Sequence, residues 1–208
     1  MVRWFITAVV IAGVCWLFPL FHVVPLKTAR AEQTAAKFDA TQFAEMFWTN
    51  KLQPNIKKAV DSKSLLGTIQ SDPAKAKMNF SRSVGLSESY FYFLSGSGRV
   101  VAVSDDGVLL AITDTSTNAE IVLQTGLIFG DAIRDGTGLL DPGAYPNSQD
   151  FNDISAALNH IVETLVLPDL KREAKAGVMI SFTGCAEVDD ESTDLKPLKV
   201  VPIQAKVQ

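Results

Sequence analysis

"YFYFLSGSGRVVAVSDDGVLLAITDTSTNAEIVLQTG", residues 90–126, decides the fold class. Aromatic and β-branched residues dominate it, and Gly, Ser, Asp and Asn interrupt them at short intervals. That is the pattern of successive strands joined by tight turns. Strands are expected at about 89–95, 98–104, 107–113 and 119–125. Asp106-Gly107 is a tight-hairpin dipeptide between the second and third of these. Asn118-Ala119 closes the next turn. The run "DDGVL" at 105–109 lacks the spaced oxygen ligands and terminal Glu of a calcium loop, so it reads as a turn.

Downstream lies "LIFGDAIRDGTGLLDPGAYPNSQDF", residues 127–151, a Gly- and Pro-rich loop with a charged cluster at Asp131, Arg134 and Asp135. Asp150 or Asn152 is placed to cap the helix that follows. Ile154, Leu158, Ile161, Val162 and Leu165 form its apolar stripe, with Asn159 and His160 on the flanks, and Pro168 ends it. "GVMISFTGCAEV", residues 177–188, returns to strand alternation through Val178, Ile180 and Phe182. The closing strand, "LKVVPIQAKV", puts Val201, Ile203 and Ala205 on one face, and Pro202 marks an edge or a bulge. Four strands, a long helix and two final strands suit a small antiparallel β-barrel of the oligonucleotide/oligosaccharide-binding type with the helix inserted. An open antiparallel sheet backed by helices is the alternative.

Upstream, Asp39 is placed to cap a helix from Ala40, with Gln42 reaching back and Phe43 and Phe47 on one face. Pro54 ends or bends this helix, and the apolar spacing resumes at Ile56, Ala59 and Val60. A short helix over Ser64–Ile69 and another opened by Asp72-Pro73 complete an N-terminal helical part. The fold class is therefore α+β: a helical hairpin, then the barrel.

The first residues obey other rules. Trp4 to Leu26 carries no charge apart from His22, long enough to span a bilayer as a helix of about 20 residues. Three readings compete. Cys15 as a lipid carrier lacks a small residue directly before it, since Val14 stands there and Gly13 lies one place early. A signal cleaved after Ala31 has the small-x-small pattern Ala29-Arg30-Ala31, but its apolar run exceeds the about 7–15 residues of such signals. An uncleaved single-pass helix in the inner membrane, with the body on the periplasmic side, is the expected arrangement. Residues 1–27 are then anchor or signal, 28–37 a tether, and 38–208 the extracytoplasmic α+β domain.

The formal net charge of -4, from 19 basic and 23 acidic residues, argues against a nucleic-acid surface. Two Cys and two His are too few for a structural zinc site built from those types alone, and no cofactor is expected. Cys15 and Cys185 cannot pair if one lies in a membrane helix and the other in a body strand, so Cys185 reads as a buried thiol.

The stretches "FDATQFAEMFWTNKLQPNIKKAVD", "GRVVAVSDDGVLLAIT", "LQTGLIFGDAIRDGTG", "QDFNDISAALNHIV" and "GVMISFTGCAEV" together resemble the bacterial family of predicted periplasmic lipoproteins known as domain of unknown function 2291. The resemblance runs over roughly Phe38 to Val207. It implies an extracytoplasmic domain tied to the membrane. Members are often encoded beside sugar ABC transporters, which implies an accessory role in carbohydrate uptake. It brings no catalytic residues, and the lipid-bearing cysteine of the family has no convincing counterpart here.

For chemistry, Asp131, Arg134 and Asp135 are the leading ligand-binding candidates. Arg134 offers a planar fork of donors, and the carboxylates suit sugar hydroxyls or a cation. Asn147, Gln149 and Asn159 can add amide hydrogen bonds. The competing reading is an Arg–Asp bridge that pins the loop. His160 near Asp153 and Glu163 reads as a surface residue, and no nucleophile elbow is present. The function expected is a membrane-tethered, non-enzymatic binding or accessory module for a transporter. The alternative is a hydrolase-like enzyme using the 127–151 loop.

Overall fold

One strand of 14 residues, β3 (Tyr90–Val103), organises the sheet. In the computed structural model, which describes Trp4 and residues 38–208 apart from Leu86, Asp114, Thr115, Pro146 and Asn147, the two first strands expected from the sequence are this single element. Gly96 does not break it. A Cβ there would run into the side chain of the fully buried Ser62, so the glycine serves close approach of a helix to the strand.

β3 pairs antiparallel with β6 (Met179–Val188) from Tyr90↔Val188 to Arg99↔Met179. Its other end pairs with β4 (Gly107–Ala111), with a bulge between Val100 and Ala102. The hairpin between them turns on Ser104, whose N–H donates to Gly107 O at 2.9 Å, as the Asp-Gly signal implies. β4 pairs antiparallel with β5 (Ile121–Gln124), β5 parallel with β7 (Leu198–Val207), and β7 antiparallel with β6. The hydrogen-bonded order β3-β4-β5-β7-β6 therefore returns to β3. The parallel pair departs from the all-antiparallel expectation, because the chain passes through helices and β6 before β7 returns beside β5. The register of β6 on β7 shifts between Thr183 and Gly184, opposite Pro202, so Pro202 marks a bulge. Two short strands, β1 (Val60–Asp61) and β2 (Ser81–Arg82), cover the first half of β3.

Asp39 accepts from Gln42 N–H at 2.9 Å and starts α1 (Ala40–Phe47), a cap worth about 1 kcal/mol. The helix widens into a π turn at Trp48–Leu52 and closes over Gln53–Asn55. Pro54 has no N–H to donate one turn back, and the wider turn accommodates that loss. The helical spacing expected through Ala59 and Val60 stops at the 3₁₀ turn Ile56–Lys58, because Val60 joins β3 instead. α2 (Ser62–Ser71) and α3 (Pro73–Phe80) are capped by Asp61 and Asp72.

Between β5 and β6 lie α4 (Ala132–Gly136), α5 (Ser148–Leu165) and α6 (Leu167–Glu173). α4 is buried along its length on β3 and β6, with Gly136 against Cys185. α5 starts at Ser148, so neither Asp150 nor Asn152 is its cap. Asp150 instead sits in the first turn, where the helix dipole favours a carboxylate. Ile154, Leu158 and Val162 are buried as expected, but Leu165 is exposed and Ile161 lies at the edge. The buried face is rotated toward Ser155 and Asn159, which meet the loop after β5. Pro168 sits in the first turn of α6 and ends α5. Among the described residues no helix is long and apolar enough to cross a membrane. The expected anchor over 4–26 (Trp4 apart), Cys15 and the cleavage point after Ala31 lie outside the described residues.

Candidate functional site

The loop after β5 alternates in an unusual sense. Leu127 and Phe129 are 75% and 76% exposed, while Ile128 between them is 5% exposed. Ile128 plugs the core, and its N–H donates to Glu163 Oε1 on α5 at 3.0 Å. Asn159 Nδ2 donates to Gly130 O at 3.0 Å, and Gly130 takes a φ of +85° that favours glycine. The Glu187 carboxyl on β6 faces the Asp131 N–H, and Asp131 Oδ1 accepts from Ser155 Oγ at 2.7 Å. Three helix side chains, a neighbouring strand carboxyl and a core plug thus hold this segment, so the two exposed apolar side chains stand on a fixed frame.

Beneath it lies Arg134. Its Nε and Nη2 donate to the two oxygens of Asp135 at 2.7 and 2.8 Å, and Nη2 also reaches Asp131 Oδ2 at 3.0 Å. Nη1 donates to Phe151 O and Asn152 Oδ1, and the guanidinium lies 3.8 Å from the Phe151 ring centroid. A guanidinium has five N–H donors; four make these hydrogen bonds, and Asp131 adds an ion pair. Arg134 and Asp135 are each 6% exposed. The arrangement is a bidentate buried pair that ties α4 to the start of α5.

Asp131, Arg134, Asp135 and Asn159, singled out from the sequence, therefore come together, with Asp131 the one part-exposed to solvent. Gln149 does not join them: it is exposed on the first turn of α5 and donates to Asp153 Oδ1 at 2.8 Å. Asn147 lies outside the described residues. Sequence reasoning missed Leu127, Phe129, Ser155, Glu163 and Glu187. The Leu-Ile-Phe run opens what reads as a loop, and only the placement of Ile128 shows which of the three turns inward.

Phe129 stands where three clefts meet. One, of about 640 Å³, is lined by Asp106, Leu109, Val122 and Leu127. A second, of about 320 Å³, holds Asp131, Asn159, His160 and Glu163. The third, of about 170 Å³, holds Glu187, Asp189, Asp194 and Lys199. Burial pushes the Glu187 carboxyl above its ordinary range. The carboxylates of Asp189, Asp131 and Asp135 push the same way, against the Asp131 N–H. His160 is 71% exposed, 3.9 Å from Glu163. Cys185 is fully buried, and burial pushes its thiol up, so it packs rather than reacts. Among the described residues no His, Cys, Asp or Glu cluster is placed to hold a metal ion.

A family model described as predicted periplasmic lipoprotein matches residues 5–206. The chain belongs to this family of predicted periplasmic lipoproteins. The match begins at residue 5, so it takes in the apolar N-terminal run as well as the body. Among solved structures, the chain is similar to an OB-fold protein from Thermotoga maritima. Identity is 25%, the TM-score is 0.73, and the match covers 83% of this chain and all of that one. No curated protein matches the chain. The lipoprotein family and the OB-fold neighbour agree with a mixed α+β extracytoplasmic domain.

Proposed function

We propose that this lipoprotein-family chain is a membrane-tethered binding module on the periplasmic side, serving as an accessory to a transport system such as a sugar ABC transporter. The observation that carries this reading is the frame at 127–131. Three hydrogen bonds and a buried Ile128 hold Leu127 and Phe129 in solvent, where contiguous apolar surface is ordinarily kept small. Rigid presentation of an aromatic anchor is what a binding surface needs. The ring β3-β4-β5-β7-β6, with its helices between β5 and β6, we read as an OB-type barrel. The OB-fold neighbour supports that reading. The hydrolase alternative loses its polar machinery, since Arg134 and Asp135 are spent on each other.

The tether is either the apolar run over 4–26 or a lipid on Cys15, and the family description supports lipid attachment as a route. The test is a photo-crosslinker at position 129 of the full-length chain in living cells. A crosslinked component of a transport system is the expected result. No product above that of a crosslinker at an exposed position that lines none of the three clefts, such as Met78, refutes the module. Fractionating Cys15→Ala decides the tether: release from the membrane means a lipid, and retention means the apolar helix.

A further inference from the structure

The charge around Leu127 and Phe129 narrows what can sit there. Arg134 pairs with Asp135 and also reaches Asp131, and Lys199 lies 3.5 Å from Asp194. Among the described residues no cation lies in salt-bridge range of Asp106 in the first cleft, which Lys199 also lines, or of Glu187 and Asp189 in the third. Glu163 in the second has only His160. The apolar pair therefore carries a rim that is acidic taken together, with carboxylates in all three clefts and Lys199, shared by the first and third, as its one lysine among the described residues.

We infer that this surface docks a basic, apolar segment of a partner protein, one or two Leu- or Phe-like side chains flanked by Lys or Arg. The inference rests on the binding-module reading and names the chemistry of its partner. Phe129 and Leu127 supply the desolvated centre, and the rim carboxylates select positive charge and speed encounter. The same rim excludes the other obvious occupant of exposed apolar side chains on a tethered protein. A loop that dips into a bilayer meets anionic headgroups and carries Lys or Arg at its border, whereas acids here would be repelled. Phosphate-rich ligands are excluded on the same ground.

The experiment places p-benzoylphenylalanine at position 129 of the full-length chain, crosslinks in cells and in isolated membranes, and maps the crosslinked residues by mass spectrometry. It is repeated in Asp106→Lys/Asp189→Lys, two exposed sites whose side chains anchor nothing described above. Support is a crosslinked protein segment that is apolar with net positive charge. Its yield should fall about tenfold in the double variant and again when membranes are held in about 0.5 M salt, where the Debye length drops to a few Å. A neutral or acidic crosslinked segment, a dominant lipid adduct, or a yield indifferent to both rim charge and salt overturns the inference while leaving the binding module standing. No product at all removes the module and the inference together. Circular dichroism of the double variant checks that it folds; if it does not, Asp106→Asn/Asp189→Asn is read in its place.

Discussion

Replacing Arg134 by Met keeps much of the side-chain volume over the Phe151 ring and removes the charge. Asp135, 6% exposed, would then keep a carboxylate in a site from which its only two strong donors, at 2.7 and 2.8 Å, have gone. Removing one member of a buried pair costs about 3–5 kcal/mol, chiefly the penalty of the stranded charge. The lost bonds to Phe151 O and Asn152 fall within that range, since Met leaves acceptors that water can reach from the helix start. Asp131 adds little, because it is part-exposed. The chain lacking residues 1–31 would be unfolded in urea and followed by the fluorescence of Trp48, its only tryptophan, which is 8% exposed when folded. Arg134→Met should lose about 3–5 kcal/mol, and Asp135→Asn alone somewhat less, because it leaves a buried guanidinium with three other acceptors. Arg134→Met/Asp135→Leu should recover a large part of the loss, since apolar replacement of a whole buried pair is often neutral. A loss below about 1 kcal/mol for Arg134→Met would refute the burial argument. A double variant as damaged as the sum of the singles would show that the two residues do not act as a pair.

Gly96→Ala should destabilise by about 1–3 kcal/mol through overpacking against Ser62, and Ser62→Gly in the same chain should relieve much of it, read by the same urea titration. Ser62→Ala alone should be neutral or stabilising by up to about 1 kcal/mol, because the Ser62 hydroxyl is buried without a hydrogen-bond partner. Glu187 has its pKa raised on folding, so the native state holds its proton more tightly. Its cost is absent below the ordinary carboxyl range and grows as pH rises through it. Glu187→Gln should therefore raise the thermal midpoint at pH 7 and leave it unchanged near pH 3; equal midpoints at pH 7 would contradict the raised value. Leu127→Ser/Phe129→Ser should leave stability within about 0.5 kcal/mol of the parent, since both side chains are three-quarters exposed. A larger loss would mean that they hold the fold rather than await a partner.

What the sequence determined by itself is local. Asp39 and Asp72 cap their helices, Ser104 to Gly107 forms the hairpin, Pro168 separates two helices and Pro202 marks a bulge. Each of these follows from a donor, an acceptor or a fixed φ within a few residues of chain, so the sequence states it directly. The helix between strands, and its stripe at Ile154, Leu158 and Val162, follow from periodicity in the same way. Tertiary structure alone decided the rest. β3 is one strand because β6, some eighty or more positions later in the chain, pairs with it without a break from Tyr90 to Arg99, across Gly96 and Gly98. Gly96 reads as a breaker until a helix packs against it. The Asp131–Arg134–Asp135 cluster suits either a ligand or a brace from its residue types alone, and only the burial of Arg134 under α5 spends its donors inside the protein. Leu127 and Phe129 stand in the sequence as the start of a Gly- and Pro-rich loop, with nothing to say which way each side chain faces. They face solvent because Ile128 is the one that fits between the sheet and α5, and a strand-like alternation then leaves its neighbours no interior to enter.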